Sequence, residues 1–176
     1  MRTAYKVLAW LVALGVVVQA ASMVYAVAGL GIWVDKEGGV FDKASGEAMF
    51  EGDVTFTGVS GFMVHGLNGM MVIPALALIL LIVSFFAAKT VPNARKWAGI
   101  VFGLIVLQVA LAIFAFMLSP AIGALHGVNA LLLLGAAIRA QTLTTASAVT
   151  RREGASPVSV PAQSTGSSAP QPSRSV

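Results

Sequence analysis

Apolar positions in this chain come in long blocks rather than in alternation. Residues 7–30, 60–88, 97–118 and 121–139 form four nearly unbroken apolar runs. They are separated by a polar stretch at 31–59, a basic stretch at 89–96 and a Ser119-Pro120 link. About 20 apolar residues are what an α-helix needs to cross hydrocarbon, and in lipid every backbone amide must find its partner inside the structure. The pattern predicts an all-α membrane protein, a four-helix transmembrane bundle. Pro74, inside the second run, removes a backbone hydrogen bond and invites a kink that neighbouring helices must support. Ser119 suits an N-cap and Pro120 a first helical turn. Gly38-Gly39 mark a turn and residues 54–59 alternate weakly like a strand, so 31–59 reads as a small extramembrane cap.

The informative positions are the polar ones left inside the apolar runs. The chain has two histidines, and both stand in His-Gly-x-Asn: His65-Gly66-Leu67-Asn68 and His126-Gly127-Val128-Asn129. Each lies about five residues into its run. The first and third runs each begin near a tryptophan, Trp10 or Trp97, and carry a lone glutamine, Gln19 or Gln108. The chain therefore reads as two tandem helical hairpins, a glutamine helix followed by a histidine helix, related by a pseudo-two-fold along the membrane normal.

Polar groups at membrane depth are costly and ask for a reason. With a rise of 1.5 Å per residue, both histidines fall about 7–8 Å below the outer end of their helices. In an up-down bundle the second and fourth helices are diagonal, so the two imidazoles face each other across the core. Such a pair can clamp one flat metal cofactor, and haem b is the natural candidate, with His65 and His126 as axial ligands of its iron. Gly66, Gly69 and Gly127 would let a macrocycle approach the backbone. Asn68 and Asn129, three residues past each histidine, share its helix face and could hold backbone carbonyls or a shell around the ligands. The same residues also fit a purely structural role: membrane histidines and glutamines bond across helices, and glycines serve close packing. Gln19 and Gln108 read as interhelical hydrogen bonds. The G-x-x-x-G of Gly99 and Gly103 admits a homodimer.

Composition and charge narrow the alternatives. The 176 residues are 57% hydrophobic and 10% charged, and the mean hydropathy is +0.88, which excludes an ordinary soluble domain. Cysteine is absent, so disulfides, thiolate metal sites and cysteine nucleophiles are excluded. Two histidines are too few for a closed tetrahedral zinc site, and no Ser/His/Asp arrangement is visible. Nine of the eleven Lys/Arg lie in the head, in the 89–96 stretch and from Arg139 onward, whereas six of the seven acids lie in 31–59. By the positive-inside rule both termini are cytoplasmic and the acidic loop is outside. The few basic residues are accounted for by topology, so nucleic acid is not an expected partner. Ala26-Val27-Ala28 resembles a signal-peptidase site, but the apolar run before it is longer than a usual h-region. The tail, residues 141–176, is Ser/Pro/Ala/Gln-rich and expected to be disordered.

Phe62-x-x-His65, Leu107-Gln108 and the L-H-G-V-N-A-L-L of residues 125–132 resemble an uncharacterised family of small bacterial four-helix integral membrane proteins, over roughly residues 1–140. The arrangement is also similar to one four-helix half of haem A synthase, whose halves carry histidines on their second and fourth helices facing haem near the outer side. His65 and His126 occupy the matching positions. That family has two halves and a glutamate just before its first histidine; this chain has one half, with Phe62, Met63 and Val64 there. The resemblance implies the bundle and a bis-histidine haem b in a bacterial cytoplasmic (inner) membrane, without the oxidative chemistry. The expected function is electron transfer between a quinol or redox protein and a partner, rather than enzyme catalysis. The competing readings are a non-enzymatic scaffold or assembly partner and a small transporter.

Overall fold

A computed structural model of the chain describes the backbone of residues 1–155 and the side chains of these residues except Phe116 and 145–155. It contains helices α1 (Arg2–Lys36), α2 (Lys43–Glu51), α3 (Ser60–Leu67), α4 (Ile73–Ala87), α5 (Ala94–Met117) and α6 (Pro120–Ala155). A single π-helical turn, Asn68–Val72, joins α3 to α4 into one continuous rod. Four stretches are long and apolar enough to cross a membrane: Arg2–Lys36, Ser60–Ala87, Ala94–Ala115 and Pro120–Thr144. The chain is an all-helical, multi-pass bundle.

The elements end where local chemistry ends them. Pro74 cannot donate an amide, and just before it the helix loosens: Ile73 N–H reaches back five residues to Asn68 O instead of four. Ser119 Oγ accepts from Ala121 N at 3.2 Å and Pro120 opens α6, as expected from that dipeptide. In the connection, Asp42 and Ser45 form a reciprocal capping box at the start of α2, and Gly52 in the left-handed conformation ends it.

Three boundaries differ from the sequence expectation. No strand forms among the described residues. The 54–59 segment bends at Gly58 (φ +109°) and folds back against α1 near Tyr25 and Gly29, and a lone strand would have had no pairing partner. Helix α1 extends six residues past Leu30, and Trp33 near its end stacks on Phe56 of the returning loop, with ring centroids 5.4 Å apart. Helix α6 continues to Ala155 rather than stopping at Arg139, because Ala140, Gln141, Leu143 and Thr144 are still buried on the bundle. The remainder of the expected disordered tail lies outside the described residues.

Around the bundle, α1 neighbours the α3–α4 rod and α6, and α5 neighbours α4 and α6, which leaves the α3–α4 rod diagonal to α6. The continuous core occupies the end of the bundle that carries the start of α1, the 88–93 turn and residues 136–144 of α6. There, alanines 9, 13, 77, 94, 98, 137 and 140 let backbones approach closely, and the Tyr5 hydroxyl donates to Ala94 O at 3.1 Å. Toward the opposite, loop-bearing end the core stops at Val16, Ile73, Ile105 and Leu133. Beyond that level α3 packs chiefly on α1, with Gly61 so close to Ser22 and Ala26 that a side chain there would collide with them. The two hairpins thus join at one end and part at the other.

Candidate functional site

The histidines sit where the hairpins part. His65 on α3 and His126 on α6 face each other with ring centroids 6.4 Å apart and planes inclined by 50°. Each is held by the glutamine helix of its own hairpin. His65 Nδ1 lies 3.1 Å from the backbone oxygen of Gln19, and His126 Nδ1 lies 3.1 Å from that of Gln108. A carbonyl oxygen can only accept, so Nδ1 is the protonated nitrogen in both rings. In the neutral imidazole this leaves the lone pair on Nε2. Neither Nε2 has a hydrogen-bond partner among the described residues.

The asparagines repeat the symmetry. Asn68 Nδ2 donates to Gly15 O at 3.0 Å and to Gln19 Oε1 at 3.2 Å. Asn129 Nδ2 donates to Leu104 O at 2.9 Å and to Gln108 Oε1 at 2.6 Å. In each hairpin the acceptor carbonyl lies four residues before the glutamine, and the asparagine three after the histidine. The same local pattern therefore builds the same clamp twice. The copies differ at one point. Gln108 Nε2 donates to His126 O at 3.0 Å, whereas Gln19 Nε2 occupies the space that a side chain on Gly69 would need. Position 69 corresponds to Ala130 in the second copy. Asn129 Oδ1 is buried without a partner among the described residues.

The imidazoles border an apolar cavity of about 440 Å³ that extends from their level to the top of the core. Its floor is Val16, Ile73, Ile105 and Leu133; its walls include Met23, Val109 and Ala130. No charged side chain lines it. A volume of this size suits a drug-sized or cofactor-sized molecule, and an apolar wall with a few convergent polar atoms is the usual composition of such sites.

The sequence-derived residues divide accordingly. His65, His126, Gly69 and Gly127 line the cavity. Asn68 and Asn129 do not; they tie the histidine helices to the glutamine helices. Gly66 is solvent- or lipid-exposed, lies outside the cavity lining and has no neighbour within 4 Å of the place of its missing side chain. The floor and walls went unread in the sequence, although a signal was there: 126, 130, 133 and 134 follow one helix face from His126, and 16, 20 and 23 surround Gln19 at the same spacing. Compared with known proteins, the chain matches no family, no curated protein and no solved structure.

Proposed function

We propose that the chain is a single-haem membrane cytochrome, with His65 and His126 as the axial ligands of haem b. The observation that carries this reading is the pair of imidazoles 6.4 Å apart, each with Nδ1 fixed on a backbone carbonyl and Nε2 unclaimed beside one apolar cavity. An imidazole nitrogen binds a first-row metal at about 2.0 Å, so two rings sharing one ion have centroids about 6 Å apart. An Nδ1–H bonded to a carbonyl is also what fixes the tautomer and orientation of ligating histidines. The described residues contain no cluster of three His, Cys, Asp or Glu for a bare metal ion. A porphyrin brings its own equatorial nitrogens and needs only the axial pair.

When bound, haem would supply one-electron redox chemistry. The chain's part would be to hold both imidazoles aimed at the iron, to keep water out with an apolar wall, and, by supplying two histidine ligands, to favour electron transfer over oxygen activation. The charge distribution favours cytoplasmic termini and an outward acidic loop in a bacterial inner membrane, with a quinol or redox protein as electron partner.

The test is pyridine haemochrome analysis of the purified protein, expressed with haem supplied, alongside His65→Ala and His126→Ala. The wild type should be red, with a low-spin reduced-minus-oxidised spectrum, and each variant should lose it. A colourless wild type would overturn the reading. It would leave the scaffold alternative, which the interhelical Asn–Gln–His bonds also serve.

A further inference from the structure

The cavity has a mouth, and its position says where an occupant comes from. The floor is fully packed: Val16, Ile73, Ile105 and Leu133 are all less than 7% exposed. The lining residues of α3, the π turn and α5 are half-buried or buried. Every exposed lining residue belongs to α1 or α6: Val17, Ala20 and Val24 on one side, Gly127 and Leu131 on the other. Val24 and Leu131 are 69% and 72% exposed. The lining includes no residue between 25 and 64, and none between 110 and 125, so the walls do not run up to the loop-bearing surface. The opening is thus a lateral one between α1 and α6, within stretches long and apolar enough to cross a membrane.

We infer that the cleft between α1 and α6 is the passage by which the macrocycle reaches the histidines directly from the lipid phase. This rests on the haem reading for its occupant but on the cavity's own shape for its route. The chemistry agrees with the geometry. The haem macrocycle is apolar apart from its two propionates, and the mouth offers the face of the ring only aliphatic contact from Val17, Ala20, Val24 and Leu131. Ala20 and Gly127 keep the rim low between the bulkier Val24 and Leu131.

The test uses the full chain in lipid nanodiscs with haem delivered in liposomes, following the Soret change over time. Val24→Phe with Leu131→Phe narrows the rim while leaving both histidines and the floor intact. Uptake should slow by about tenfold or more, the effect of roughly 1.4 kcal/mol on a barrier, with an unchanged final spectrum. Uptake at the wild-type rate would overturn the passage. A second measurement does not need haem. Because the chain has no cysteine, Ala130→Cys on the cavity wall can be spin-labelled alone. Relaxation by lipid-soluble oxygen should far exceed that by a water-soluble nickel chelate. Nickel dominance would mean a water-filled route and would overturn the inference. A wild type that takes up no haem would defeat the cytochrome reading, while oxygen dominance at position 130 would still uphold the lateral route.

Discussion

Gly69 shows how one residue separates the two copies of the clamp. A side chain on it would collide with the Gln19 amide, whereas Ala130 at the matching place is accommodated because Gln108 turns its amide onto His126 O instead. Gly69→Ala should therefore push Gln19 away, break its bond with Asn68 and cost about 1–3 kcal/mol, the usual range for overpacking. In a Gln19→Ala background most of that cost should vanish, since the colliding group is gone. Unfolding titrations in mixed detergent, run as a double-mutant cycle, measure this coupling directly. Additive costs would mean that the collision is not what Gly69 avoids. The repeated His-Gly-x-Asn and the paired glutamines were readable from the sequence because two copies of one motif at matched depth leave few placements. The division of labour inside the tetrapeptide was not. Gly66 and Gly69 lie three residues apart, and which of them faces the partner helix depends on how the helix is turned about its axis, which the tetrapeptide alone does not state.

At the scale of elements, the apolar runs announced the four spans, because hydrocarbon imposes length and leaves no alternative to helix. The connection was harder to read. Weak alternation at 54–59 suggested a strand, yet Gly58 and the close crossing near Gly29 fold that segment onto α1. Helix α2 was missed because its stability lies in a cap rather than in an apolar face: Asp42 Oδ1 accepts from Ser45 N at 2.8 Å, and Ser45 Oγ accepts from Asp42 N at 2.8 Å. The backbone bond from Ser45 holds the Asp42 carboxyl below its usual value. A carboxylate depressed in the folded state contributes stability above its unfolded pKa of about 3.9, and loses it as pH falls through the lower folded value. The order of α2 should therefore be constant from neutral pH to about 5 and decline at more acid pH. Hydrogen exchange of the 43–51 amides follows this, and Asp42→Ala should give the acid-state exchange already at neutral pH, because it removes the side-chain acceptor of the cap. Exchange in Asp42→Ala equal to wild type would show that α2 is held by something other than its capping box.

Across the whole molecule, stability and site are separated along the bundle axis. The alanine-rich core joins all four spans at one end, while toward the loop end no buried apolar core joins the hairpins and the imidazoles of His65 and His126 face each other across the gap. Without a hydrophobic drive between helices in lipid, close packing of small residues is the main cohesive force. Ala98 and Ala137 are fully buried, so Ala98→Leu or Ala137→Leu should wedge the hairpins apart and cost about 1–3 kcal/mol. Val109→Ala, on the wall of a cavity that already lacks packing, should cost less, about 1 kcal/mol at most. The same polarity predicts how an occupant acts. A ligand bridging His65 and His126 would join the hairpins where no apolar core does, and would stabilise by about 2.7 kcal/mol at a hundredfold excess over its Kd. That stabilisation should appear as slowed exchange of the cavity-lining stretches of α3 and α6, with the terminal-end core unchanged. It should be abolished in the His65→Ala, His126→Ala double variant and retained in Ala98→Leu provided the bundle still folds. Haem-dependent protection confined instead to the terminal end would place the occupant away from the imidazole pair, and the clamp would then be a packing device alone.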